Sequence, residues 1–457
     1  MAVSNPPPLN HLLFPLLLLL LLLVSAVNSI GVNYGTLGDN LPPPATVAQF
    51  LKSNTIIDRV RIFDVNPDVI KAFADTGILV SVTVPNGEIP SLADPWNARQ
   101  WVEANIKPFH PATKIHYIAV GTEVLHWGPQ NIVDHLVPAM RVLHAALIKS
   151  GIKDVKVSSP HAMDILLSSS PPSSASFRPG WDVGNLAPML RFLRQTKSGF
   201  MVNPYPYYAY SPANASFCLF KPNAGLFDKA TGKRYTNQFD QLMDAVHVSM
   251  KKLGFPDVEI VVAETGWPSG GDPQNTHASV GNAAAYNGGL IKKVDSGVGT
   301  PLMPGRKFET YIFSLFNENL KGPSLDEKNF GLFRPDFTQV YEIGIMHQSQ
   351  STNPSSRPPT PTTPTSSQGK SYCVPKLDAT DVALQSNIDY ICNNGIDCSP
   401  TQPSGPCFEP NTVRAHAAYL MNSYYQAKGR HDIDCDFAHT GVIASTDPSN
   451  GPCKYIS

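Results

Sequence analysis

The sequence predicts an α/β protein: an eight-stranded β/α barrel of the TIM type, followed by a small, disulfide-rich, mainly α-helical C-terminal domain. Three observations predict it. Short β-branched runs alternate with longer amphipathic stretches over about 310 residues, the size and rhythm of a barrel. A Pro/Ser/Thr-rich stretch then interrupts the pattern, and six of the seven cysteines crowd into the segment after it.

Taken in order, residues 1–29 read as a signal peptide. Leu12 to Val24 is almost pure Leu and is followed by the small or polar residues Ser25, Ala26, Val27, Asn28 and Ser29, which places cleavage after Ser29. A spanning anchor needs about 20 apolar residues, more than this run supplies, and Pro15 interrupts its start. The expected mature chain is therefore secreted, starting near Ile30.

Residues 30–347 form the expected barrel. Its eight strand-like runs are Ile30 to Asn33, Arg59 to Phe63, Leu79 to Val84, Ile115 to Val120, Val155 to Ser158, Phe200 to Val202, Glu259 to Ala263 and Tyr311 to Phe316. Asn131 to Lys149 and Phe239 to Leu253 carry apolar residues at helical spacing between them. An open doubly wound sheet is the competing architecture, but no Gly-rich phosphate loop follows the first run. Residues 348–371 are the linker, whose prolines favour extended polyproline conformation and a semi-rigid spacer. Residues 372–457 hold Cys373, Cys392, Cys398, Cys407, Cys435 and Cys453. Two-residue Cys spacings and clustered His are missing, so disulfides are expected rather than zinc. Six cysteines allow fifteen pairings, and Cys218 is left over as a free thiol.

Composition narrows the chemistry. The formal net charge is −1 and no Lys/Arg run stands out, so nucleic acid and anionic lipid are not expected partners and a neutral ligand fits better. None of the 13 histidines stands in a metal-binding pattern, so neither a metal nor a cofactor is expected. A monomer is expected.

The residues just past each run are more informative, because barrel enzymes place their chemistry at the C-terminal ends of the strands. Tyr34, Asp64, Asn86, Glu123, Ser159, Asn203, Glu264 and Glu318 all stand there. Glu123 after the fourth run and Glu264 after the seventh emerge on the same barrel mouth. Two opposed carboxylates are the machinery of glycoside hydrolysis, one donating a proton to the leaving oxygen while the other attacks the anomeric carbon; in a retaining enzyme they lie about 5 Å apart. A single strand-end Glu is as readily a helix cap or a partner to a cation, but two of them with aromatics around them favour catalysis. Trp267, Tyr34, Phe316 and the cluster Tyr205, Tyr207, Tyr208 and Tyr210 offer flat faces with polar edges suited to a pyranose. Asn203-Pro204-Tyr205-Pro206-Tyr207-Tyr208, with two prolines, reads as a rigid loop over the mouth.

The motifs Ile30-Gly31-Val32-Asn33-Tyr34-Gly35, Asn203-Pro204-Tyr205-Pro206-Tyr207, Glu264-Thr265-Gly266-Trp267-Pro268-Ser269 and Phe316-Asn317-Glu318-Asn319 closely resemble those of plant β-1,3-glucanases of glycoside hydrolase family 17. The resemblance runs from Ile30 to about Tyr341. It implies Glu264 as nucleophile and Glu123 as acid/base, with Glu318, Lys321 and Glu327 as a charged cluster beside the nucleophile that tunes its ionisation and binds sugar hydroxyls. It also implies a β-1,3-glucan polysaccharide as partner and a plant source. One position departs from the pattern: Thr122 stands where the family usually has Asn before the acid/base, which weakens contacts to the substrate's 2-hydroxyl. A glucan-binding wall protein without useful catalysis and a transglycosylase therefore remain alternatives to an endo-hydrolase. The tail from Tyr372 to Cys453 resembles carbohydrate-binding module family 43, which implies β-1,3-glucan binding and pairing of Cys373 with Cys435, Cys392 with Cys398, and Cys407 with Cys453. Asn214-Ala215-Ser216 is the one glycosylation sequon, expected to be exposed. Only four residues follow Cys453, none of them part of an apolar tail, so no glycolipid anchor is expected.

Overall fold

The computed structural model describes residues 30–347 apart from 323, and residues 371–456 apart from 377, 378, 394, 429, 431, 438, 439, 445 and 446. The expected signal peptide and nearly all of the expected linker lie outside the described residues. The chain divides into two compact units.

The first unit is a parallel barrel. Its strands are β1 (Ile30–Tyr34), β2 (Ile57–Ile62), β3 (Leu79–Val84), β4 (Lys114–Val120), β5 (Lys156–Ser158), β6 (Pro160–Ala162), β7 (Phe200–Asn203), β8 (Ile260–Thr265) and β9 (Glu309–Ile312). The hydrogen-bonded order is β5-β4-β3-β2-β1-β9-β8-β7-β6, every pairing parallel. The fifth run forms β5, and a further short strand not expected from the sequence, β6, follows it: β5 bonds to β4, β6 bonds to β7, and the chain itself joins them through Ser159. Pro160, without an amide N–H, stands at the break. The eighth run is shorter as a strand than its apolar stretch, ending at Ile312.

Side chains alternate in and out of the barrel because successive strand residues face opposite sides. Tyr117, Met201, Val261, Ala263 and Tyr311 make a small core of their own, drawn from β4, β7, β8 and β9. Gly31 leaves room for this packing, since a Cβ there would lie 2.6 Å from both Arg59 and Tyr311. The other strand faces join the main core with the surrounding helices. These are α1 (Pro44–Asn54), α2 (Pro67–Ala72), α3 (Pro95–Asn105), α4 (Gln130–Lys149), α5 (Ala187–Thr196), α6 (Gln238–Lys252) and α7 (Val280–Ser296). Along α4, Val133, Leu136, Val137, Met140, Leu143 and Leu147 are buried, the spacing of one helix face. Several helices begin where the sequence supplies a cap: Asn66, Asp94, Asn237 and Ser279 each accept amide N–H groups of the first turn.

The second unit packs α8 (Asp381–Asn393) and α9 (Val413–Ala427) with an antiparallel pair, β10 (Tyr372–Pro375) and β11 (Gly441–Ala444). Its core is small, built from Leu384, Ile391, Ala417, Leu420, Met421 and Tyr425 with Cys373 and Cys435. Three disulfides join Cys373 to Cys435, Cys392 to Cys398 and Cys407 to Cys453, the pairing the resemblance implies. Cys218, in the barrel unit, is free and buried.

Candidate active site

Glu264 stands near the C-terminal end of β8, where the barrel brings charged residues from neighbouring strands together. Arg61 of β2, fully buried, places Nη1 2.5 Å from Glu264 Oε1 and donates from Nη2 to Thr122 Oγ1 at 2.8 Å. One guanidinium therefore ties Glu264 to the residue preceding Glu123. Tyr205 donates its hydroxyl to Glu264 Oε2 at 3.1 Å. A carboxylate that accepts from a cation and a phenol at once is fixed in orientation.

Glu123 has a different environment. Its backbone is left-handed (φ 51°), and its amide N–H donates to the carbonyl of Pro160 at 2.9 Å, so the strand break between β5 and β6 anchors it. Its carboxyl meets neutral donors: Asn203 Nδ2 at 2.9 Å on Oε1 and Trp127 Nε1 at 3.1 Å on Oε2. Burial, reinforced by the negative charge of Glu264, raises its pKa above the ordinary carboxylate range. The raised pKa leaves Glu123 able to carry a proton closer to neutral pH than an ordinary carboxyl group.

Both carboxyl groups line a cleft of about 1090 Å³, together with Thr122, Asn203, Tyr205, Glu318, Lys321 and Glu327. Lys321 lies 3.3 Å from Glu327 and over the Phe313 ring at 3.9 Å, while Glu327 accepts the Tyr208 hydroxyl at 3.0 Å. Glu318 accepts the Leu37 N–H at 2.8 Å and its pKa is raised, burial being the main cause. Thr122 is held on three sides: its N–H and C=O bond the side chain of Asn86, and its hydroxyl oxygen accepts from Arg61. The hydroxyl keeps its own proton to donate at the cleft wall.

Three expected sugar contacts are corrected. Tyr34, Trp267 and Phe316 are at most 1% exposed and stand in the core, away from the cleft. At the end of β1, Asn33 turns inward and donates to the Ala263 carbonyl, so Tyr34 must turn outward, where its ring meets Phe73 and Phe316. Trp267 passes beneath the tyrosine loop, packed against Tyr207, Tyr210 and Tyr286, with its indole N–H on the His277 carbonyl. The aromatic lining of the cleft comes instead from Phe63, Trp127, Tyr205, Tyr208, Phe313 and Phe330.

Asn214 of the sequon is half-buried; its side chain accepts the Ser211 N–H and donates to the Ala209 carbonyl. Sequence reasoning also passed over Arg61 and Trp127. A charged residue two positions from Arg59 in the strand-like Ile57–Ile62 signals an inward-facing pair, and Trp127 lies one helical turn after Glu123.

The sequence profile of Glycosyl hydrolases family 17 matches residues 30–345. The chain belongs to this family. An X8 domain profile matches residues 371–442. Full-length relatives agree: a glucan endo-1,3-beta-glucosidase of Triticum aestivum is 47% identical over 94% of this chain and 95% of its own length. A glucan endo-1,3-beta-D-glucosidase of Olea europaea is 48% identical over 98% of both. Among solved structures, a β-1,3-glucanase and allergen of Cryptomeria japonica pollen superposes with a TM-score of 0.66 at 44% identity, covering 70% of this chain and 99% of that one. One of two plant β-glucan endohydrolases with distinct substrate specificities gives 0.63 at 39% identity, covering 69% and 100%. In this family 17 glycosyl hydrolase the cleft described above is where a buried carboxyl group, Glu264, and a half-buried one, Glu123, face a single cavity with contrasting partners.

Proposed function

We propose that the protein is a secreted endo-hydrolase of β-1,3-glucan that retains anomeric configuration. The observation that carries this reading is the contrast between Glu264, held against Arg61, and Glu123, whose raised pKa leaves it able to donate a proton. In the first step a Glu264 oxygen forms a bond to the anomeric carbon, the glycosidic C–O bond breaks, and the proton of Glu123 passes to the leaving oxygen. In the second, Glu123 takes a proton from water, the water oxygen bonds to the anomeric carbon, and Glu264 leaves as a carboxylate. Two inversions return the β configuration. Lys321, Glu327, Tyr208 and Thr122 supply polar atoms for sugar hydroxyls along the cleft. The disulfide-bonded X8 unit serves to hold the enzyme to insoluble glucan in the wall, and Asn214 is the glycan acceptor of the barrel unit.

The test is the time course of products from a linear β-1,3-glucan, followed by NMR. Short products released first as β-anomers are expected, and Glu264→Gln is expected to reduce turnover to background while leaving glucan binding intact. First release of α-anomers, or full activity in the variant, would refute the assignment.

A further inference from the structure

The acid candidate holds two donors of unlike freedom. Asn203, on Glu123 Oε1, closes a barrel strand and is 2% exposed; Trp127, on Oε2, sits on a one-turn helix with the residue 71% exposed at the cleft. An indole N–H only donates, so it holds an oxygen that offers a lone pair and has nothing to offer a proton. To protonate a leaving oxygen, Glu123 must carry a hydrogen on one oxygen and turn it toward substrate, and an oxygen that carries a proton accepts more weakly, so the bond it receives loosens. Asn203 is enclosed, whereas Trp127 has open space. The turn beneath it is braced: His126 stands edge-on to the Trp127 ring at 4.3 Å and is held by Asp164 at 2.5 Å from its Nδ1.

We propose that Trp127 is the positioning and specificity residue of the leaving-group side: it donates to Glu123 in the empty cleft, releases it on substrate binding, and presents its exposed ring to the departing sugar. This rests on the reading of Glu123 as the acid/base. The location follows from chemistry, because a side chain bonded to the oxygen that protonates the leaving group lies beside that group. Apolar ring faces with a polar edge suit a pyranose. Among the charged or titratable groups around Glu123 are Glu264 and its partner Arg61, His126 with Asp164, and the hydroxyls of Tyr205 and Tyr208. Replacing Trp127 by Phe removes none of these, only the N–H.

The experiment compares the full-length protein with Trp127→Phe, Trp127→Ala and Glu123→Gln on a linear β-1,3-gluco-oligosaccharide, measuring kcat and KM across pH. In Trp127→Phe the basic limb of kcat/KM is expected to move to higher pH, because a donor to the ionised form is lost, with KM close to that of the parent. In Trp127→Ala the limb moves likewise and KM rises several-fold. An unmoved limb in Trp127→Phe, with Glu123→Gln inactive, overturns this inference alone. An unchanged KM in Trp127→Ala removes the sugar contact. An active Glu123→Gln overturns the reading beneath it.

Discussion

At the scale of the residue, the barrel separates groups of one chemical type by their surroundings. His161 of β6 shows this away from the cleft. It is fully buried, with Nε2 3.1 Å from Met189 Sδ and its ring against Phe200, and burial pushes its pKa down to about 3. In an unfolded chain the imidazole titrates near 6.5. Above that pH both states are neutral and the stability it contributes is complete. Below it the unfolded state binds a proton that the folded state refuses, so stability falls as the pH drops toward 3, by at most about 1.4 kcal/mol per pH unit. The same acidic window favours the protonated form of Glu123. A lower melting temperature at pH 4 than at pH 7 is expected, with a flatter dependence in His161→Phe; equal slopes for the two proteins would refute it.

At the scale of the element, the loop after β1 and the segment after β9 are fitted to one another. Gly35 follows β1, and a Cβ there would lie 2.5 Å from Glu318 Cδ. Glu318 is held in place there, being 3% exposed and bonded to the Leu37 N–H. The glycine is required by close approach and not by an unusual backbone angle. Gly35→Ala is expected to cost about 1–3 kcal/mol through overpacking and to lower activity by displacing Glu318 from the cleft wall. Thermal denaturation and kcat/KM check this together, and a variant of parental stability and activity would show that the segment gives way easily. The break between β5 and β6 is a second such device, since it turns a strand carbonyl, that of Pro160, into the anchor for the Glu123 amide.

At the scale of the full chain, the two units are stabilised by different means. The barrel has a large core and, among the described residues, no disulfide. The second unit has a core of a few side chains and three bridges, two of them closing separations of 62 and 46 residues. Constraining loops of that length contributes about 4 kcal/mol each in the chain-entropy account, comparable to the whole stability of a domain this small. Treatment of the intact protein with a thiol reductant is therefore expected to abolish retention on insoluble β-1,3-glucan while sparing hydrolysis of a soluble oligosaccharide. Loss of both together would show that the barrel depends on the bridges.

The alternation of strands and helices, the two units and the placing of Glu123 and Glu264 at strand ends were legible in the bare sequence, because they depend on local periodicity and on cysteine clustering, whereas the short β6 was not. The motifs that mark the family were legible there too. Which aromatic side chains reach the cleft was settled only by the folded barrel. Tyr34, Trp267 and Phe316 stand in the right motifs, yet alternation at the end of β1 and packing under the tyrosine loop turn them into the core. Trp127, in no motif singled out, ends up donating to Glu123. Arg61 reaches Glu264 across 203 positions of sequence, a contact that exists only once the barrel closes. Local pattern fixes what a residue's backbone does; which neighbour its side chain meets depends on strands brought together from distant parts of the chain.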